Sequence, residues 1–143
     1  MKIALIAHDK KKDDMIRLAI KYKETLAPHE LYATGTTGTL VMGETGLKIK
    51  RMKSGPLGGD QQIGAMIAEG KLDVLIFFCD NLITQGHQQD VGALTRLASL
   101  YNIAFATNRT TADMIITSSL FGNEEYKRII PASIDNYKNR TLC

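Results

Sequence analysis

Ser54-Gly55-Pro56-Leu57-Gly58-Gly59-Asp60-Gln61-Gln62 is the stretch with the most chemistry to offer. Its glycines let the backbone approach a ligand closely, since no Cβ intervenes and positive φ is cheap. Their amides, with those of the helix that the next residues open, make a seat for an anion. Asp60 stands where turn becomes helix. Capping that helix is the commoner task for an Asp in such a place. Beside an anion seat, however, the same carboxylate can act as a base on whatever the seat holds.

A second seat is Thr34-Gly35-Thr36-Thr37-Gly38, which combines hydroxyls with glycines at a helix start. It is either a phosphate cradle or a plain capped turn. It lacks the Gly-Lys-Ser/Thr ending of a nucleotide loop, and no G-x-G-x-x-G follows a strand. A phosphate held here therefore belongs to a small metabolite. Lys12 can close on the same phosphate, while its neighbours Lys10 and Lys11 read as a solvated helix start. Their positive charge opposes the helix dipole unless an anion balances it. His8, next to Asp9, ends an apolar run and is placed for a polar role. His87 lies in a polar stretch three residues before Asp90, a spacing that lets the carboxylate fix the imidazole tautomer. His29, after Pro28, reads as surface on the opposite rim.

The two histidines and several aspartates fit no metal spacing such as H-x-x-x-H, C-x-x-C or H-E-x-x-H, so no metal is expected. No Ser occupies a G-x-S-x-G elbow. The net charge is +3 with scattered basic residues, and there is no Trp. That suits a small anionic metabolite and argues against nucleic acid. Cys79 and Cys143 are far apart and suggest no disulfide framework. No apolar run approaches the roughly 20 residues of a membrane span. The first residues turn polar too soon for a signal peptide, so no membrane and a cytoplasmic setting are expected.

These residues need elements to hold them, and the sequence repeats one arrangement five times: apolar run, small or polar cluster, helical pattern. Ile3–Ala7 leads to a helix from about Lys11 to Leu26, with Met15, Leu18, Ala19 and Tyr22 on one face. Glu30–Ala33 precedes the Thr-rich turn, and Leu47–Met52 precedes Ser54. Val74–Phe78 is the most apolar run and is expected to be the central strand, covered on both faces. Asp80 follows it, then a helix with Val91, Leu94, Leu97 and Ala98 inward. Ala104–Ala106 precedes Thr107–Thr111 and the last of the five helices. Tyr126–Ile130 is expected to add an edge strand, and the residues after Pro131 a terminal helix.

At 143 residues, 44% hydrophobic and 23% charged, the chain suits one globular α/β domain over residues 1–143. The expected fold is doubly wound and Rossmann-like, three layers about a mostly parallel five-stranded sheet. In such sheets ligands bind beyond the carboxyl ends of the strands, near a topological switch point. The polar clusters all follow strands, so they should converge on one rim.

With these residues in view, the chain resembles the methylglyoxal synthase family along essentially its whole length. The resemblance rests on Ala7-His8-Asp9, Tyr32 to Gly38, Ser54-Gly55-Pro56 with Gly58 to Gln62, and the His87…Asp90 pair. It implies a methylglyoxal-synthase-like fold and conversion of dihydroxyacetone phosphate into methylglyoxal and inorganic phosphate, without metal or organic cofactor. It implies Asp60 as catalytic base and His87 at the reacting oxygens. His8, Lys12, Thr34, Gly35, Thr36, Thr37, Ser54 and Gly55 would bind substrate and phosphate, with Asp9, Asp80 and Asp90 as supporting carboxylates. It further implies a homohexamer, inhibition by phosphate, and an intersubunit role for Arg140.

The residues suit that chemistry. Asp60 would take a proton from the hydroxymethyl carbon, giving an enediolate, and a neutral His87 would donate to the developing oxyanion. Loss of phosphate then requires the bond from carbon to the phosphate ester oxygen to stand out of the enediolate plane. An isomerase keeps that bond in plane. Two other classes compete. The same fold serves as the effector-binding domain of carbamoyl phosphate synthetases, which has no use for a base, and Asp60, His87 and Asp90 together favour the enzyme. A flavodoxin-like signalling protein would need an acidic metal pocket or a nucleotide loop, and neither is present in the sequence.

Overall fold

Alternating branched and aliphatic residues with short polar links produce a βα repeat. The computed structural model describes residues 1–80 and 88–141, those at 88–90 by backbone only. Strands β1 (Lys2–Ala7), β2 (Glu30–Ala33), β3 (Ile49–Arg51), β4 (Val74–Phe78) and β5 (Ala104–Ala106) form one sheet in the order β3-β2-β1-β4-β5. Every pairing is parallel, with Ile3 opposite both Leu31 and Val74. The helices are α1 (Lys12–Lys21), α2 (Lys23–Leu26), α3 (Gly35–Thr45), α4 (Gly59–Ala68), α5 (Gln88–Leu100), α6 (Arg109–Thr117) and α7 (Ala132–Lys138).

Alternation along β1 divides the core. Ile3, Leu5 and Ala7 face α1, α3 and α6, where they meet Met15, Leu18, Val41 and Ile116. Ala4 and Ile6 face the other way, toward Ile63 and Ile67 of α4 and Leu94 and Ala98 of α5. Leu5, Ile76 and Phe77 are fully buried. Each such side chain contributes about 1.5–3 kcal/mol through loss of contact with water. The result is three layers, helix–sheet–helix, as an all-parallel sheet requires.

Three expectations need correcting. The central strand is β1, with β4 beside it; β4 is nonetheless buried along its whole length. Its continuous apolar run signals cover on both faces, which any interior strand shares, and so does not single out the middle one. The first helix is not continuous to Leu26. It breaks at Tyr22 (φ −110°, ψ 23°), whose hydroxyl donates to Asp113 Oδ1 on α6 at 2.7 Å. Tyr126–Ile130 forms no strand. Side chains fasten it instead: Asn102 Nδ2 donates to the Ile129 carbonyl at 2.8 Å, and Arg128 Nη1 lies 2.6 Å from Asp73 Oδ1. The terminal helix after Pro131 does form, as α7.

His29 lies on the rim away from the strand carboxyl ends, as expected, but is only half-exposed. It packs edge-on against Phe121, with ring centroids 5.1 Å apart. Burial first, and the nearby amino terminus second, hold its pKa below the ordinary imidazole value.

Candidate active site

The strand order reverses between β1 and β4, so their carboxyl ends open a crevice, and a cleft of ≈ 540 Å³ occupies it. His8 and Asp9 enter it from the end of β1, Asp80 from the end of β4. Thr34, Thr36 and Thr37 come from the β2–α3 junction, Ser54, Gly55 and Asp60 from the β3–α4 junction, and Lys12 from α1.

His8 is oriented by the backbone. The Asp80 N–H donates to His8 Nδ1 at 3.0 Å, and the ring stands edge-on to Phe77. A donor aimed at Nδ1 requires a lone pair there, so the imidazole is neutral and carries its proton on Nε2. Pairing of β1 with β4 thus fixes a tautomer as well as a strand.

Lys12 is mostly buried, with a side chain 15% exposed. Its Nζ donates to the Ala7 carbonyl at 2.7 Å and lies 3.2 Å from Asp9 Oδ1. Thr37 Oγ1 is 3.5 Å from the same carbonyl. An ammonium and a hydroxyl therefore gather at the end of β1. Thr34 occupies the N-cap of α3 in extended geometry, yet its side chain makes no capping bond. The capped-turn reading is thereby weakened: the Gly35 N–H goes to the Lys53 carbonyl and the Gly38 N–H to the Thr34 carbonyl, while Thr36 and Thr37, which line the cleft, lie in the first turn, with the positive end of the helix dipole behind them.

Asp60 does not cap α4. That position belongs to Gly58, at φ 101°, and Asp60 follows as the second helical residue, 6% exposed. Both of its carboxylate oxygens would lie 3.5 Å from a Cβ built on Gly55. A methyl at residue 55 would rest in ordinary contact with the carboxylate, whereas glycine leaves that side of it uncovered. The charge is felt nearby: burial first, and Asp60 second, push the Cys79 thiol up to about 11.

Gly35 supports the cleft through its backbone, packed where a Cβ would stand 2.8 Å from Ser54 Oγ. Arg140 lies elsewhere, at the end of α7, its guanidinium 3.5 Å from the centre of the Tyr137 ring. His87 falls outside the described residues, and of Asp90 only the backbone is described. Phe77, Ile6 and Val91 also line the cleft, although nothing in the sequence singles them out, because apolar wall residues carry no type-specific signal. Among the described residues no cluster of three or more His, Cys, Asp or Glu is arranged to hold a metal ion. No helix among them is long and apolar enough to cross a membrane.

Residues 14–107 match the model of the MGS-like domain family. A methylglyoxal synthase of Clostridium beijerinckii is 59% identical over 116 residues, covering 81% of this chain and 98% of the relative. The chain belongs to the methylglyoxal synthase family. One from Bacillus cytotoxicus is 56% identical over 128 residues, covering 90% of this chain and 98% of the relative. The crystal structure of a methylglyoxal synthase from Elizabethkingia anophelis superposes with a TM-score of 0.90 at 45% identity, covering 99% of this chain and 92% of that one. The protein is accordingly an enzyme with the synthase fold, a carbon–oxygen lyase.

Proposed function

We propose that the cleft takes dihydroxyacetone phosphate and releases methylglyoxal and inorganic phosphate, with Asp60 as the base. The observation that carries this reading is the meeting, in one crevice, of a buried carboxylate with an amide-and-hydroxyl seat and a lysine ammonium. The phosphate sits at the start of α3 against Thr34, Gly35, Thr36 and Thr37, with Ser54, Gly55 and Lys12 around it. That anchoring leaves the carbonyl and hydroxymethyl carbons to reach toward Asp60.

Asp60 removes the hydroxymethyl proton. The electron pair left on carbon becomes an enediolate, whose oxygen charge is met by donors. His8 offers its Nε2–H, and His87, its carboxylate partner Asp90 three residues on, serves the same oxygens. Asp9 and Asp80 act as supporting carboxylates, Asp9 beside Lys12 and Asp80 on the wall of the cleft, while the backbone amide of Asp80 separately orients His8. The carbon–oxygen bond to phosphate then breaks as the enediolate electrons move into the carbon framework. The released enol tautomerises to methylglyoxal.

The same reading takes residues 1–143 as one domain acting in the cytoplasm, on no nucleic acid or membrane, and with no cofactor. It takes phosphate as an inhibitor as well as a product, since a seat that binds the ester's phosphate accepts the free ion. It takes the working form as a homohexamer in which Arg140 lies between subunits. Incubating the pure protein with dihydroxyacetone phosphate should yield methylglyoxal and phosphate in equal amounts. Asp60→Asn should lower kcat by about 10² to 10⁴, the usual share of a general base, with substrate binding kept. An Asp60→Asn enzyme within threefold of the parent would overturn the assignment of the base.

A further inference from the structure

Asp60 and the α3 phosphate seat stand on different helices, so some feature must set the distance between them. The contacts converge on the backbone of Lys53, just before Ser54. Its carbonyl accepts from the Gly35 N–H at the start of α3, at 3.3 Å. Its N–H donates to the side-chain carbonyl Oε1 of Gln62, on α4, at 2.7 Å. The next carbonyl, that of Ser54, accepts from Leu57 N–H at 2.9 Å and from Gly59 N–H at 3.0 Å, closing the turn that leads into α4. A Cβ at Gly59 would fall 1.8 Å from the Lys53 oxygen, so the backbones lie in direct contact.

We propose that Gln62 is a positioning residue: through the backbone of Lys53 it fixes the Asp60 carboxylate relative to the Thr34–Thr37 seat. The inference rests on the reading of Asp60 as the base. Gln62 and Asp60 share the first turn of α4, so a bond from Gln62 to the loop sets how far that turn approaches α3. Most of the loop's bonds are backbone to backbone; this one uses a side chain, and the side chain must be the right length. Asn is one methylene short and cannot reach Lys53 N–H without dragging the helix. Glu offers an acceptor oxygen at the same reach. Leu fills similar space without an acceptor. The phosphate seat does not rest on the Gln62 side chain: Thr34–Thr37 belong to α3 and its N-cap, and Ser54 and Gly55 are tied by backbone bonds, the Ser54 carbonyl accepting from Leu57 and Gly59 N–H and the Gly55 carbonyl from Gly58 N–H.

Three variants and two readouts decide the matter. Gln62→Leu and Gln62→Asn should each lower kcat about tenfold, as expected when a base sits away from its productive geometry. KM and the inhibition constant for inorganic phosphate should stay within twofold. Gln62→Glu should return kcat to within threefold of the parent. A merely structural contact would lower thermal stability, less in Gln62→Glu than in the other two, and would leave kcat per folded molecule unchanged in all three. If Gln62→Leu does not fold, Gln62→Asn against Gln62→Glu makes the same distinction. Parent-like kcat in Gln62→Asn, or failure of Gln62→Glu to recover it, overturns the positioning role. Asp60→Asn run alongside separates the two ideas. An active Asp60→Asn means the base is wrong, whereas an inactive Asp60→Asn beside a parent-like Gln62→Asn leaves the base standing and removes Gln62.

Discussion

Gly59→Ala should be among the most damaging single-methyl changes available to this protein. An ideal Cβ at residue 59 would lie 1.8 Å from the Lys53 carbonyl oxygen, 2.8 Å from its carbon and 3.0 Å from the Ser54 carbonyl carbon. Ordinary contact begins at 3.4 Å, so the oxygen must retreat by about 1.6 Å. No rotamer can absorb this, because the obstacle is backbone, and that backbone is bonded to Gly35 N–H and Gln62 Oε1. Overpacking usually costs about 1–3 kcal/mol, and a rigid obstacle places this case at the upper end, about 3 kcal/mol. For a chain of this size each kcal/mol is worth about 4 °C, so the midpoint should fall by roughly 12 °C. The control is Gly43→Ala, where nothing lies within 4 Å of the new methyl on an exposed turn of α3. It should stabilise by about 0.5–1 kcal/mol, since glycine is a poor helix former. Thermal unfolding at fixed protein concentration reads both, and turnover of dihydroxyacetone phosphate should drop in Gly59→Ala alone. A Gly59→Ala protein that melts within 3 °C of the parent and keeps its kcat would refute the close-contact reasoning.

Other expectations follow from single contacts. Nitrogen-15 spectra of His8 should show the Nε2–H neutral tautomer at pH 7; a proton on Nδ1 would contradict the bond from Asp80. His8→Asn, which keeps an acceptor for that amide but loses the outward donor, should lower kcat by about 10² if the ring stabilises the enediolate. Cys79, its thiol pushed up to about 11 by burial and by Asp60, should resist iodoacetamide at pH 8 in a Cys143→Ser background. Labelling at the rate of a free thiol would count against that burial. An acid kept protonated by folding stabilises fully below its unfolded pKa, so Cys79 contributes at neutral pH. The contribution fades as pH rises from about 9 toward about 11. Asp73 runs the other way. Burial opposes its charge, but the Lys2 N–H and the Arg128 guanidinium outweigh it and hold the carboxyl below its usual value. Asp73→Asn should therefore cost about 1 kcal/mol at pH 7, a figure kept small because the pair is part-exposed. The difference should close as pH falls below 3.8, and a gap that persists at pH 2 would exclude the ion pair as its source.

Much of the architecture was legible because burial on both faces writes continuous apolar runs, and Val74–Phe78 is one such run. Its position in the sheet was not legible, since strand order depends on which edges pair and no residue type reports that. Tyr126–Ile130 has the composition of a strand and is none. Its fastening depends on Asp73 and Asn102, 55 and 27 residues away in sequence from Arg128 and Ile129. At the cleft, residue types announced themselves: Thr34, Ser54 and Asp60 are where a glycine-rich loop would put them. Asp60 was harder to place, because the cap and the second helical residue are two positions apart, and only Gly58 at positive φ tells them apart. Gln62 carried no signal of its own, as a glutamine on a helix usually faces water.

The strand order also bears on how the molecule is made. The outward edge of β1 is completed by β4, which leaves the ribosome about seventy residues later, Ile3 meeting Val74 and Ala7 meeting Phe78. A β3-β2-β1 half-sheet without β4 would present a row of bare amides and carbonyls beside Ala4 and Ile6, the kind of border that recruits other chains. The bond that orients His8 cannot form before that border closes. Pairing of β4 with β1 therefore closes that border and orients His8 through the same contact.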